Sequence, residues 1–176
     1  MGLLIYLNRI KEKFDRTTRI MVVESLVLSL VNYCCKIWGS ANKTLLLKVQ
    51  RILNFAARVA DGSARKYNHI TPVLNELKWM KMENVYAFHV CLLVYKVMRG
   101  NIPSWLNTLP TVMEMSESRT RQANDLFVPR TKRDIGKRNM VVKGLMIWNK
   151  LPRDIREMEG SLTTFKQALK KFFLNS

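Results

Sequence analysis

The nineteen residues from Ile20 to Trp38 read IMVVESLVLSLVNYCCKIW, and few folds accept them. On a helical wheel the polar members Glu24, Ser25, Ser29, Asn32 and Lys36 occupy one arc of roughly 140°, and everything else is apolar. The run approaches membrane-spanning length, but those same polar residues disfavour lipid. A water-exposed helix of this kind must have most of its circumference covered by other helices. The segment therefore predicts the core of an all-α helical bundle, with one thin stripe left exposed. Asp15 or Thr17 is placed to cap its start, and Gly39 to end it as the C′ residue.

Other helices fit this scheme. Leu3 to Phe14 has a short helical pattern. From Asn42 to Ala60, the residues Leu45, Leu46, Val49, Ile52, Leu53, Ala56 and Val59 keep the i, i+3, i+4 period, closed by Asp61-Gly62. Thr71-Pro72 reads as an N-cap with proline in the first turn of a helix ending at Leu77. Met82 to Met98 is long and apolar and is closed by Gly100, and IPSWLNTLP is a proline-bounded turn or short helix. The helical period fails from Met113 to Lys143, where LFVPR suits a brief edge strand. Trp148 and Leu151 then read as plugs for a hydrophobic groove. Ser161 caps a last amphipathic helix that sets Leu162, Phe165, Leu169 and Phe172 or Phe173 against Lys166 and Lys170. The fold class is thus an all-α bundle with a long basic loop and a C-terminal amphipathic helix. It divides into a helical bundle over 1–62, a helical continuation over 63–112, a basic irregular loop with its plug over 113–152, and the last helix over 153–176.

Charge narrows the function. Thirty basic residues against thirteen acidic ones give a net charge of +17, which favours polyanionic partners. The stretch SRTRQANDLFVPRTKRDIGKRN, Ser118 to Asn139, holds seven of the cations and only two acids, Asp125 and Asp134. Arg119, Arg121, Arg130, Lys132, Arg133, Lys137 and Arg138 are therefore candidate phosphate contacts. Lys43, Arg51, Asn54 and Arg58 share an arc of about 80° on the Asn42–Ala60 helix, opposite its apolar face. That stripe suits a phosphate track or a solvated face.

Catalytic and metal-binding patterns are sparse. The sequence has no phosphate-binding glycine loop and no D-x-D or D-D pair for magnesium. Cys34, Cys35 and Cys91 form no C-x-x-C and suit buried reduced thiols better than a zinc site with His69 or His89. His89 itself reads as a packing residue. No cofactor or metal is expected. Gly2 is followed by Tyr6 where a myristoylation signal needs Ser or Thr, and Leu3 to Leu7 is too short for a signal-peptide core. The expectation is a soluble, intracellular protein, nuclear or cytoplasmic, with no membrane partner.

The order of motifs adds a resemblance. SLVLSLVNYCCKIWG is followed by LLLKVQRILNFAARV and by HITPVLNELKWMKMENVYAFHVCLLVYKVMRGNIPSWL. Then come TRQANDLFVPRTKRDIGKRN, GLMIWNKLP and SLTTFKQALKKFF. From about residue 3 to residue 174 this succession resembles the C-terminal part of reverse transcriptases from non-LTR retrotransposons (LINE elements), especially jockey-like ones. The resemblance implies a helical thumb over about 3–60, which grips a primer–template duplex, and a post-thumb region beyond it. Arg121, Pro129, Arg130, Gly136, Lys137, Arg138, Trp148, Asn149, Leu151 and Pro152 match the pattern of the post-thumb region. Gly144-Leu145 departs from it, since Gly-Pro is frequent there, and this leaves the turn before Trp148 open. The palm motif with its catalytic aspartates and the endonuclease domain of the family are not found in this sequence.

Three readings follow. The leading one is a non-catalytic fragment of an RNA-directed DNA polymerase that binds RNA, DNA or a hybrid through Lys43, Arg51, Arg58 and the basic loop. The second is a protein-interaction module that binds a reverse-transcriptase palm or another helical protein, since thumb helices without a palm expose apolar surface. The third is an expressed transposon relic without function.

Overall fold

The computed structural model describes residues 2–62, 69–100, 109–115 and 124–175. The chain is all-α, with no strand among those residues. It divides into two units, one running to Val85 and the other from Tyr86 to Asn175.

The first unit begins with α1 (Gly2–Ile10) and a single tight turn, Lys11–Lys13. Asp15 caps α2 (Arg16–Val23) by accepting from the backbone amides of Thr17 and Thr18. The expected continuous helix to Trp38 is broken twice. From Glu24 to Leu28 the ladder widens into a π-helical turn, with the Ser29 amide reaching back to the Glu24 carbonyl. A short α3 (Ser29–Asn32) follows, and Cys34 then adopts a left-handed conformation (φ 49°) before α4 (Cys35–Trp38). Gly39 ends α4 with φ −67°, so it does not act as a left-handed terminator.

These breaks correct the expected burial as well. A π turn inserts one residue and rotates all that follows by about 100°. Val23 and Val27 face the core, whereas Leu26, Leu30, Tyr33 and Ile37 are 45%, 70%, 74% and 68% exposed. Glu24, Ser25, Ser29 and Asn32 of the expected polar stripe are exposed, but these four apolar side chains stand in solvent with them, so the outward surface is wider and less polar than expected.

The central helix is α5 (Lys43–Asp61), capped by the Asn42 side chain and closed by left-handed Gly62 (φ 82°). It sets Leu53, Ala56, Ala57, Val59 and Ala60 against Leu4 and Leu7 of α1, Val23, Val27, and Leu74 of α6 (Ile70–Leu77). The three alanines give neighbouring helices a close approach, and a fully buried valine such as Val59 contributes about 1.5–3 kcal/mol. α6 starts at Ile70 after His69, so Thr71 lies inside the helix and is not its cap. Trp79 is buried nearby and donates through Nε1 to Glu24 Oε1 at 2.9 Å, tying the π turn to the chain beyond α6. Gln50 Oε1 accepts from the Met82 amide at 2.7 Å, where α7 (Met82–Met98) begins.

Arg19 joins several chain ends in this unit. Its guanidinium donates to the carbonyls of Lys11, Phe14, Ala60 and Asp61, at 2.8 to 3.4 Å. One cation thus satisfies carbonyls that the terminating turns leave without helical partners.

Most of α7 belongs to the second unit, where Val90, Cys91, Val94 and Tyr95 are buried. Of the segment IPSWLNTLP, residues 101–108 lie outside the described residues. The region expected to be irregular over 113–152 contains three helices, α8 (Val112–Met115), α9 (Asp134–Arg138) and α10 (Met140–Asn149). α10 runs through Gly144-Leu145 without a turn, because Gly144 lets it approach α7. A Cβ there would stand 2.6 Å from Val90 Cγ1. LFVPR forms no strand; Leu126 makes one isolated antiparallel bridge with Thr111.

Trp148 and Leu151 are buried, as their plug reading requires. Trp148 lies 6.0 Å from Phe165, centroid to centroid, and Phe165 stacks on Tyr95 at 4.0 Å. After α11 (Arg153–Arg156), Ser161 Oγ accepts from the Thr164 amide at 3.2 Å at the start of α12 (Leu162–Asn175). α12 buries Phe165, Leu169 and Phe173. Leu162 is 36% exposed and stands at the margin of that face.

Candidate nucleic-acid interface

The ten candidate cations fall into two groups that belong to different units, and Arg119 and Arg121 lie outside the described residues. Both units are basic, with fourteen basic against six acidic side chains up to Val85 and sixteen against seven beyond it. Net charge alone therefore does not choose between them, and local geometry must.

In the first unit, Lys43 and Arg51 are exposed on α5, opposite its buried alanines. Arg58 is half-buried and already has a partner, so it is the least available of the three. Lys48 is also exposed and extends this basic surface; a narrow arc drawn through the other three excluded it. Leu45, expected on the buried face, is 49% exposed, and Leu47 is 50% exposed. The stripe is therefore a mixed surface of cations and leucines.

In the second unit the basic segment is held at both ends. On one side Leu126 is 2% exposed and its backbone is clasped by Asn149. Asn149 Oδ1 accepts from the Leu126 amide at 3.0 Å, and Nδ2 donates to the Leu126 carbonyl at 2.8 Å. An amide side chain carries a donor group and an acceptor group, and here each makes a bond to the same residue. Arg156 adds an ion pair with the neighbouring Asp125 at 2.6 Å, with only 15% and 23% of the two side chains exposed. On the other side, Asn139 caps α10 by accepting from the Val141 amide at 2.9 Å. Sequence reasoning identified Trp148 and Leu151 but missed the clasp, because its partner lies 23 residues away.

Between these anchors Arg130, Lys132 and Arg133 are exposed, and their side chains have no partner among the described residues. Lys137 and Arg138 differ. Lys137 Nζ lies 3.6 Å from Asp134 Oδ1, an exposed pair of the kind that contributes about 0–1 kcal/mol and competes weakly with a phosphate. Arg138 is half-buried and donates through Nε to the Asp134 carbonyl at 3.4 Å. The geometry thus leaves three cations exposed and holds two more on the turn beside them. Gly136 lets that turn fold against the segment, for a Cβ there would lie 2.9 Å from Thr131 Cβ.

Of the remaining candidates for chemistry, Cys34 is exposed on its left-handed turn, against the expected burial of all three thiols, and the others are packing groups. Cys35 and Cys91 are buried, and burial pushes their thiols up to about 11 and about 12, so they stay protonated. His89 packs edge-on against Phe88 at 5.3 Å. Among the described residues no three His, Cys, Asp or Glu side chains group to hold a metal ion, and no helix is long and apolar enough to cross a membrane. No family model, curated protein or solved structure matches the chain.

Proposed function

We propose that this chain binds nucleic acid without catalysing a reaction, through residues 130–138 and, in a second contact, through α5. The observation that carries this reading is the anchored segment: Arg130, Lys132 and Arg133 stand in solvent between two fixed points, in a chain of net charge +17. Arginine forks and lysine ammoniums held in this way suit backbone phosphates and carry little sequence preference. The resemblance to the post-thumb region of non-LTR reverse transcriptases supports the same reading.

The test is titration against a labelled RNA–DNA hybrid at several salt concentrations. Log affinity should fall steeply with log salt, at about 0.9 per phosphate contact. Replacing Arg130, Lys132, Arg133, Lys137 and Arg138 with glutamine should flatten that slope by as much as about 4 to 5 units if each cation meets one phosphate. Unchanged affinity and slope would refute the assignment. A chain found unfolded by circular dichroism would favour a relic without function.

One observation favours a protein partner as a second reading. Leu26, Leu30, Tyr33 and Ile37 recur at spacings of four, three and four residues, all at least 45% exposed, and no charge lies between Ser25 and Cys35. Exposed apolar side chains grouped in one stretch of chain are a feature of interaction sites. Concentration-dependent association that is insensitive to salt would support this reading over the first.

A further inference from the structure

Ile135 lies at the centre of the basic segment and is 74% exposed. A single exposed isoleucine is ordinary on a protein surface. This one is surrounded in sequence by Arg130, Lys132, Arg133, Lys137 and Arg138, and it sits on a turn that packs closely against the segment before it. Gly136, next to it, closes against Thr131, and the ion pair from Asp134 to Lys137 spans it. A β-branched side chain with few rotamers is thus presented to solvent on a braced turn among cations.

We propose that Ile135 is an apolar wedge that enters a base step of a duplex while the cations beside it hold the flanking phosphates. The proposal rests on the nucleic-acid reading above and names a duplex as the ligand. Proteins that bend duplexes insert isolated isoleucine, leucine or methionine side chains between bases in this way, with arginine and lysine on the adjoining backbone. Charge complementarity selects a polyanion as the occupant. An anionic membrane would share that charge, but interfacial helices need a continuous apolar face, and five-residue α9 offers one large apolar side chain.

The experiment uses the full chain and a short DNA duplex carrying 2-aminopurine at a central T–A step, the most easily unstacked kind. Binding of the wild-type chain should raise the 2-aminopurine fluorescence. Ile135→Ser should bind about tenfold more weakly, with an unchanged salt slope and no fluorescence rise, since it loses one buried side chain and no cation. Ile135→Leu should behave as the wild type, which excludes a general effect of substitution on folding. Equal affinity of the serine variant, or silent fluorescence on wild-type binding, would overturn the wedge and leave the phosphate contacts standing. Loss of binding to phosphatidylserine vesicles in the serine variant, with duplex binding intact, would also overturn it and assign Ile135 to a lipid surface. If the five-glutamine variant binds the duplex as the wild type does, the underlying nucleic-acid reading fails, and the wedge with it.

Discussion

Replacing Asn149 with alanine tests whether the basic segment is anchored as described. The substitution removes both hydrogen bonds to the Leu126 backbone at once. Leu126 is 2% exposed, so water reaches its amide and carbonyl poorly once the clasp is gone. A buried backbone group left without a partner costs about 1–3 kcal/mol, and two such groups with partial relaxation imply about 2–4 kcal/mol. Asn149→Asp keeps the acceptor for the Leu126 amide but sets an acceptor-only carboxylate oxygen against its carbonyl, and should not restore the clasp. Hydrogen exchange at the Leu126 amide is the direct assay, because it reports local opening even where unfolding of the whole chain is not two-state. Exchange should accelerate roughly 30-fold or more in the alanine variant, for each 1.4 kcal/mol is a factor of ten. Nucleic-acid affinity should also drop, since freeing the segment adds an ordering cost on binding. Exchange within a factor of three of the wild type would show that the clasp does not hold Leu126, and the anchoring argument would fail.

Further outcomes follow from the same structure. Gly62→Ala should destabilise the first unit by about 1–2 kcal/mol from its left-handed backbone alone, and by more because the new Cβ would meet Arg19 Nη2 at 2.6 Å; denaturant melts compared with Arg19→Ala would show the effect. Cys34 should react alone with a maleimide at pH 8 in the folded chain, Cys35 and Cys91 only after unfolding. Because burial raises both thiols from an ordinary 9.0, their contribution to stability is intact below pH 9 and is lost as pH rises through about 11 and about 12. Alkaline melts of Cys91→Ala should therefore lose part of the wild type's decline in that window.

The sequence was most legible where structure is decided locally. Asp15, Gly62 and Ser161 mark helix ends through bonds made within a few residues, the periods of α5 and α12 are long and regular, and α7 is apolar nearly all round. What escaped it was decided from far away. The π turn at Glu24 is tied to Trp79, 55 residues on, and no wheel drawn with a single period anticipates its phase change. α10 contains a glycine, which lowers its helical propensity, yet Gly144 is what brings it against Val90. The candidate cations were legible as a cluster; their unequal availability was not, because Asp134 engages Lys137 and Arg138 but leaves Arg130, Lys132 and Arg133 in solvent.

The π turn between Glu24 and Leu28 also sets a phase. In an ordinary α-helix the Ser29 amide would bond to Ser25, and every later side chain would sit about 100° around the axis from where it now lies. Deleting one residue from the turn would make that change. Leu30 would then exchange its solvent-facing position for another, and Val31 would leave the small core formed by Cys35, Met82 and Val85. The surface that this stretch shows to the outside is thus chosen by one residue of helical register, with Glu24 bonded to the Trp79 indole and Val27 buried in the core beside it.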